Sequence, residues 1–287
     1  MKQDKYTAAN PVALITGTSS GFGLLTALEL AERGYLVVAG MRDLSRSDEL
    51  RQKAKAAGVE KHLHYVELDV TDEAEIEEVV TGTLQTYGRI DVLVNNAGFA
   101  VGGFTEEIPM EDWRSQLETN FFGLVAVTKA VLPAMRQRGA GHLINVGSVS
   151  GLVGFPGYAP YAASKFAVEG FSESLRHELS GTGVKVVLVE PGSFKTPIWD
   201  KGLQNIRRQP DSPYASRLEA VLRYSRKSAE TAPDPVHVAR LIGRITAMSS
   251  PRLRYRIGQG STAMIWSKTL LPWKWLEWML RKALGGK

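Results

Sequence analysis

The chain contains no cysteine. That absence excludes disulfides, thiolate zinc sites and cysteine nucleophiles, so any catalysis rests on oxygen and nitrogen side chains. Histidine is scarce, with five in 287 residues. His62 and His64 have no acidic or histidine partner at ligand spacing, and no metal centre is expected. The opening MKQDKYTAANP is polar and lacks an apolar core, so a secretory leader is not expected. The expectation is a cytoplasmic protein, with membrane association open only through its C-terminal tail.

The charge is unevenly placed. Residues 250–287 hold eight basic side chains and one acid, Glu277, a net +7, which leaves −2 on the preceding 249 residues. The overall +5 is therefore a property of the tail, and no nucleic-acid partner is expected for the domain. A hydrophobic share of 44% and a charged share of 23% are ordinary for a folded globular chain.

Short β-branched runs alternate with helical patterns. Strands are predicted at Val12–Thr16, Leu36–Gly40, Leu63–Leu68, Val92–Asn95, Leu143–Val146, Val184–Glu190 and Arg254–Ile257. Helices are predicted at Gly21–Arg33, Ser47–Ala57, Asp72–Tyr87, Glu111–Arg138 and Tyr158–Ser180. Nearly continuous apolar strands alternating with helices indicate a parallel sheet covered on both faces. The expectation is an α/β, single-domain Rossmann fold over residues 1–260, a doubly wound parallel sheet of about seven strands. Residues 193–232 read as an irregular insertion with short helices, a lid over the substrate. Asp234-Pro235 then opens a helix to about Met248.

VALITGTSSGFG joins the first strand to the first helix. Gly17, Gly21 and Gly23 differ in spacing from G-x-G-x-x-G but meet similar demands: a tight turn, close approach of backbone to a pyrophosphate, and close helix packing. Ser19, Ser20 and Phe22 lie among them. In VVAGMRD, at the end of the second strand, Met41 takes the position of the usual ribose-binding acid and Arg42 follows. A cation suits a 2′-phosphate that a carboxylate would repel, so NADP(H) is the expected cofactor, with Asp43 directed elsewhere.

Four further signals follow in order: Asn95-Asn96-Ala97-Gly98, Asn120, Ser148, and Tyr161-x-x-x-Lys165. Tyr161 and Lys165 are spaced i, i+4 and share a helix face. An ammonium there would lower the phenol pKa from about 10 and prepare it as an acid–base. Tyr158 has Ala162 at the same offset, so it reads as an aromatic at the pocket mouth. Ser148, thirteen residues before Tyr161, is placed to bind a carbonyl oxygen, with Ser150 as its rival.

Together these motifs, over roughly residues 10–260, resemble the short-chain dehydrogenase/reductase family, in its single-domain group. The segment GSVSGLVGFPGYAPYAASKFAVEGF looks like the hydroxysteroid and retinol dehydrogenase branch. The resemblance implies Ser148, Tyr161, Lys165 and Asn120 as the catalytic set, with Asn120 holding a water that links Lys165 to solvent. It places Asp69 and Val70 at the adenine and Asn95 in support of the ribose region. Asn96, Ala97 and Gly98 follow in the cofactor site, with Pro191, Gly192 and Thr196 beside the nicotinamide. Lys165 also serves the nicotinamide ribose.

Phe99, Val101, Val149, Leu152, Val153, Phe155, Phe194 and Trp199 are candidate pocket walls, with Ser148 and Tyr158 contributing polar atoms. Such a pocket suits a bulky lipophilic carbonyl or alcohol. An alternative is an NAD-linked enzyme of the same family. A weakly catalytic membrane-associated scaffold is a third reading, against which the intact serine, tyrosine, lysine and asparagine set argues. A homo-oligomer is expected.

Residues 261–287 hold four of the six tryptophans. Lys268, Lys274 and Glu277 interrupt the segment and Pro272 divides it, which excludes an ordinary spanning helix. On a helical wheel Trp273, Leu276, Met279, Leu280 and Ala283 share a face, with Trp275 and Trp278 beside basic residues. The pattern suits a subunit contact, a cover over the pocket, or an interfacial helix on an anionic membrane.

Overall fold

A computed structural model describes residues 10–198, 202, 205–258, 268 and 270–284. Its strands are β1 (Val12–Thr16), β2 (Leu36–Met41), β3 (Leu63–Glu67), β4 (Val92–Asn95), β5 (Gly102–Gly103), β6 (Gly141–Val146), β7 (Val184–Pro191), β8 (Ile206–Arg207) and β9 (Arg254–Ile257). The helices used below are α1 (Gly21–Glu32), α2 (Asp48–Ala57), α3 (Glu73–Tyr87), α4 (Met110–Leu117), α5 (Gly123–Arg138) and α6 (Ala159–Glu178). They continue with α7 (Ala215–Glu230), α8 (Val236–Ile245) and α9 (Trp273–Ala283).

The seven-stranded sheet runs β3-β2-β1-β4-β6-β7-β9, parallel throughout. Its order reverses between β1 and β4, the switch point where parallel sheets of this type open a crevice at their carboxyl ends. β1 shows why the sheet is covered twice. Val12 and Leu14 join Ile76, Val80 and Val131 of α3 and α5 on one face. Ala13 and Ile15 join Leu24, Ala27 and Ile242 of α1 and α8 on the other. Strand residues alternate faces, so a run of five buried apolar side chains needs a helical layer on each side. Each fully buried leucine or isoleucine stabilises by about 1.5–3 kcal/mol.

Two expectations are corrected. The single helix predicted over Glu111–Arg138 is instead α4, a π-helical turn at Glu118–Phe122, and α5. The wide turn falls on Asn120, and such turns cluster where a helix must re-aim a side chain. The insertion at 193–232 is also more regular than expected. Its second half is the 16-residue helix α7, while Ile206–Arg207 pairs with Gly102–Gly103. Leu218, Val221 and Leu222 form a buried stripe on α7, a helical period obscured in sequence by the arginines and serines of the outer face. Asp234 accepts from the Val236 amide at 2.8 Å ahead of α8.

Candidate active site

The glycine turn is held by atoms from β1 and β4. Thr16 Oγ1 accepts from the amides of Asn96 and Ala97, both at 3.0 Å. Asn96 Nδ2 donates back to the carbonyls of Thr16 (2.9 Å) and Gly17 (3.0 Å). A Cβ at Gly23 would lie 2.2 Å from the Gly17 carbonyl and 2.4 Å from Asn96 Nδ2, so only glycine lets α1 start this close. Gly17 itself has φ +70°, a left-handed conformation. Thr16 anchors both segments; its place at the end of β1 was the available signal, and sequence reasoning missed it.

Around this turn lies a cleft of about 840 Å³. Gly17, Ser19, Ser20, Gly21 and Phe22 line one wall, and Val70, Asn96, Ala97 and Gly98 another. Arg42 stands at its rim, joined by Arg46, a second cation that sequence reasoning did not single out. Asp43 is also at the rim, but its Oδ1 accepts from Ser45 N (2.9 Å) and Ser45 Oγ (2.6 Å), bonds that lower its pKa. The first amides of α1 have no helical acceptor and form an anion site with the dipole. A glycine cradle, a helix start and two arginines fit a dinucleotide phosphate chain.

Several predicted cofactor residues do not line this cleft. Asp69 does not line the cleft: its carboxylate accepts from Thr71 N and Oγ at 2.9 and 2.8 Å, leaving Leu68 and Val70 as the wall. Gly23 lies beneath the turn, where it is needed for packing. Pro191 and Gly192 line the neighbouring pocket, and Thr196 lines both spaces. Asn95 is buried, tying β4 to α5 and β6 through Thr128 and Asn145, both at 2.9 Å.

The second space, about 430 Å³, is lined by Ser148, Val149, Val153, Phe155, Tyr158 and Phe194, among others. α7 roofs it: Tyr224 stacks on Phe155 with centroids 5.1 Å apart, and Tyr158 Oη donates to Ser225 Oγ at 3.3 Å. Ser193 and Ser228 hydroxyls pair at 2.7 Å. Tyr224, Ser225 and Ser228 went unnoticed in sequence because nothing local marks which face of α7 turns inward. Among the predicted walls, Phe99 faces the cleft, while Val101 and Leu152 line neither space. Trp199 lies outside the described residues.

Tyr161 lines both spaces, along with Phe22, Ala100, Gly147, Thr196 and Ile198. Ser148 stands beside the Tyr161 phenol and acts to lower its pKa. Ser148 Oγ also accepts from Ser150 N at 3.1 Å, so Ser150 supports the loop while Ser148 faces the phenol. Lys165 Nζ donates to the Val146 carbonyl at 2.8 Å and lies 5.9 Å from the Tyr161 ring centre.

The electrostatics correct the sequence expectation. Burial raises the Tyr161 pKa, against the opposing bond from Ser148, so its phenol is not poised as a phenolate. Burial brings Lys165 down to about 8, partly opposed by Glu169. Tyr158 is raised too, by burial against its bond to Ser225. The two tyrosines thus share the direction of their shift and differ in their partners.

Asn120 Nδ2 donates to Phe99 O (3.0 Å) and Ser164 Oγ (3.1 Å), while its Oδ1 accepts from Phe99 N (3.0 Å). Both amide hydrogens are used, so a water held here would donate to an Asn120 oxygen. Behind the site, Glu169 is raised to about 7, first by burial and then by Glu190, with Arg254 opposing. Arg254 Nε lies 3.2 Å from both glutamates, and Arg256 Nε reaches Glu190 at 3.1 Å.

A doubly wound sheet whose switch-point cleft meets an apolar pocket at a serine–tyrosine–lysine set defines a nucleotide-dependent oxidoreductase. A family profile described as short chain dehydrogenase matches residues 11–206. The chain belongs to the short-chain dehydrogenase/reductase family. An uncharacterized oxidoreductase of Bacillus subtilis, YusZ, is 46% identical over 95% of this chain and 98% of its own length. A 3-ketodihydrosphingosine reductase of Bacteroides thetaiotaomicron is 35% identical, covering 94% and 96%. A solved family member from Burkholderia phymatum, in complex with NAD, aligns with a TM-score of 0.78 at 28% identity, covering 94% and 95%. Other solved neighbours were determined with NADP+ or NADPH.

Proposed function

We propose that this oxidoreductase is an NADP(H)-dependent carbonyl reductase, reversible as an alcohol dehydrogenase, for a bulky hydrophobic ketone or secondary alcohol. The carrying observation is that Tyr161, with Ser148 beside it, lines both the cleft and the pocket. A carbonyl carbon in the pocket can there meet a hydride donor in the cleft while its oxygen faces both hydroxyls. When bound, the nicotinamide cofactor supplies the hydride in reduction and accepts it in oxidation.

The protein's own groups handle the proton. In reduction Tyr161 Oη donates its proton to the carbonyl oxygen, and Ser148 Oγ donates a hydrogen bond to the same oxygen as charge develops. A phenol raised by burial remains protonated through neutrality, which suits the reductive direction. The ammonium of Lys165 stabilises the phenolate left behind, from 5.9 Å below the ring centre. In oxidation the same groups take the alcohol proton.

Arg42 and Arg46 at the rim support a phosphorylated ribose, with Asp43 engaged by Ser45. The apolar walls Val149, Val153, Phe155 and Phe194 support a lipophilic substrate, as does the relative named for 3-ketodihydrosphingosine reduction. A panel of steroid, retinoid, long-chain and small soluble ketones, followed by NADPH oxidation, tests the assignment. Turnover should favour the bulky members. A wild-type preference for NADH in kcat/KM would overturn the cofactor reading.

A further inference from the structure

Half of the large hydrophobic side chains that are more than a third exposed, among the described residues, fall between Leu270 and Met279. Leu270 is 69% exposed, Trp273 65%, Trp275 60% and Trp278 50%. α9 follows Pro272, and its only acid, Glu277, accepts from Trp273 Nε1 at 3.0 Å. Lys274, Arg281 and Lys282 supply its cations, with Lys282 Nζ 4.5 Å from the Trp278 ring.

These features select one occupant for the exposed face. A second copy meeting α9 across a two-fold axis would bring basic helix against basic helix. An anionic lipid surface complements the helix, whose Lys274, Arg281 and Lys282 outnumber Glu277. Indole rings place an apolar body below and an N–H at headgroup level. No helix among the described residues is long and apolar enough to cross a membrane, so α9 would lie in the plane of the interface.

The attachment point gives the surface a purpose. Lys268 donates to the Leu152 carbonyl and stands 4.9 Å from the Phe166 ring. Leu152 lies between Val149 and Val153, which line the substrate pocket. We propose that α9 beds into an anionic membrane surface and holds the substrate pocket beside it, so that lipophilic ketones are taken from the lipid. The membrane contact stands on the helix alone; the delivery role rests on the proposed substrate class.

The test is co-sedimentation of the full chain with phosphatidylcholine vesicles and with vesicles containing about 30% phosphatidylglycerol. Binding to the anionic vesicles should exceed that to neutral ones by about tenfold or more, and fall comparably in K274E/R281E/K282E. W273S/W275S/W278S should lose binding while retaining NADPH binding, which reports an intact fold. Equal pelleting of wild type and both variants would overturn the membrane contact. So would retained pelleting in the tryptophan variant accompanied by a drop in oligomer mass by light scattering, which would assign α9 to a second copy. With vesicle-loaded long-chain ketone, turnover should fall in the charge variant while turnover of a small soluble ketone is kept. Equal loss on both substrates would overturn delivery; absence of turnover in wild type on every ketone, with pelleting intact, would overturn the function proposal alone.

Discussion

The cofactor cleft and the substrate pocket share Tyr161 but are built from different materials. The cleft is made of backbone: glycine turns, strand ends and a helix start, locked by Thr16 and Asn96. The pocket is made of side chains brought from far apart, with Phe155 and Tyr158 meeting Tyr224 and Ser225 of α7. A backbone cradle tolerates little change in shape, whereas a roof of side chains can be altered one contact at a time. The first is suited to one invariant ligand and the second to discrimination among substrates.

The comparison can be broken first at the shared residue. Tyr161→Phe should bind NADPH normally yet lose kcat by about 10²-fold or more, because the proton donor is gone. Stopped-flow turnover beside fluorescence titration of NADPH checks this, and near-normal kcat would remove Tyr161 from the mechanism. On the cleft side, Gly23→Ala drives a Cβ into the Gly17 carbonyl and the Asn96 amide. It should destabilise by about 1–3 kcal/mol and weaken both NADPH and NADH, as thermal melts with each cofactor would show.

Arg42→Ala should separate the two cofactors, raising KM for NADPH about tenfold with little effect on NADH. An equal effect on both would place Arg42 away from the 2′-phosphate. On the pocket side the effects should be smaller. Ser225→Ala removes the partner of Tyr158 and should change KM for bulky ketones by about two- to fivefold, with kcat on a small ketone kept.

The smallest effect concerns proton balance. With Lys165 at about 8, its charge is lost as pH rises through that value, so reductive kcat should decline on the alkaline side. The Glu169 carboxylate raises the Lys165 pKa. Glu169→Gln should therefore move that decline to lower pH, and an unchanged profile would disconnect the two groups.

Much of the fold was legible because its signals are local. Apolar strands between helices marked a parallel sheet, and the predicted strand ends lie within two residues of the observed ones. The order of glycine turn, Asn96-Ala97-Gly98, Ser148 and Tyr161-x-x-x-Lys165 pointed to the family. What local spacing could not supply was environment. The i, i+4 relation of Tyr161 and Lys165 predicted a lowered phenol pKa, but burial raises it, with Ser148 opposing. Asn120 was marked as a polar residue needing partners, yet only the fold shows both its amide hydrogens committed to Phe99 and Ser164.

By itself, then, the sequence determined the layered sheet, the phosphate turn and the class of chemistry, because each depends on residues near one another along the chain. The tertiary structure alone decided which face of α7 roofs the pocket and that burial raises the pKa of the Tyr161 phenol. Those outcomes depend on desolvation and on partners far along the chain, such as Ser225 for Tyr158, 67 residues away, and both are properties of the packed chain.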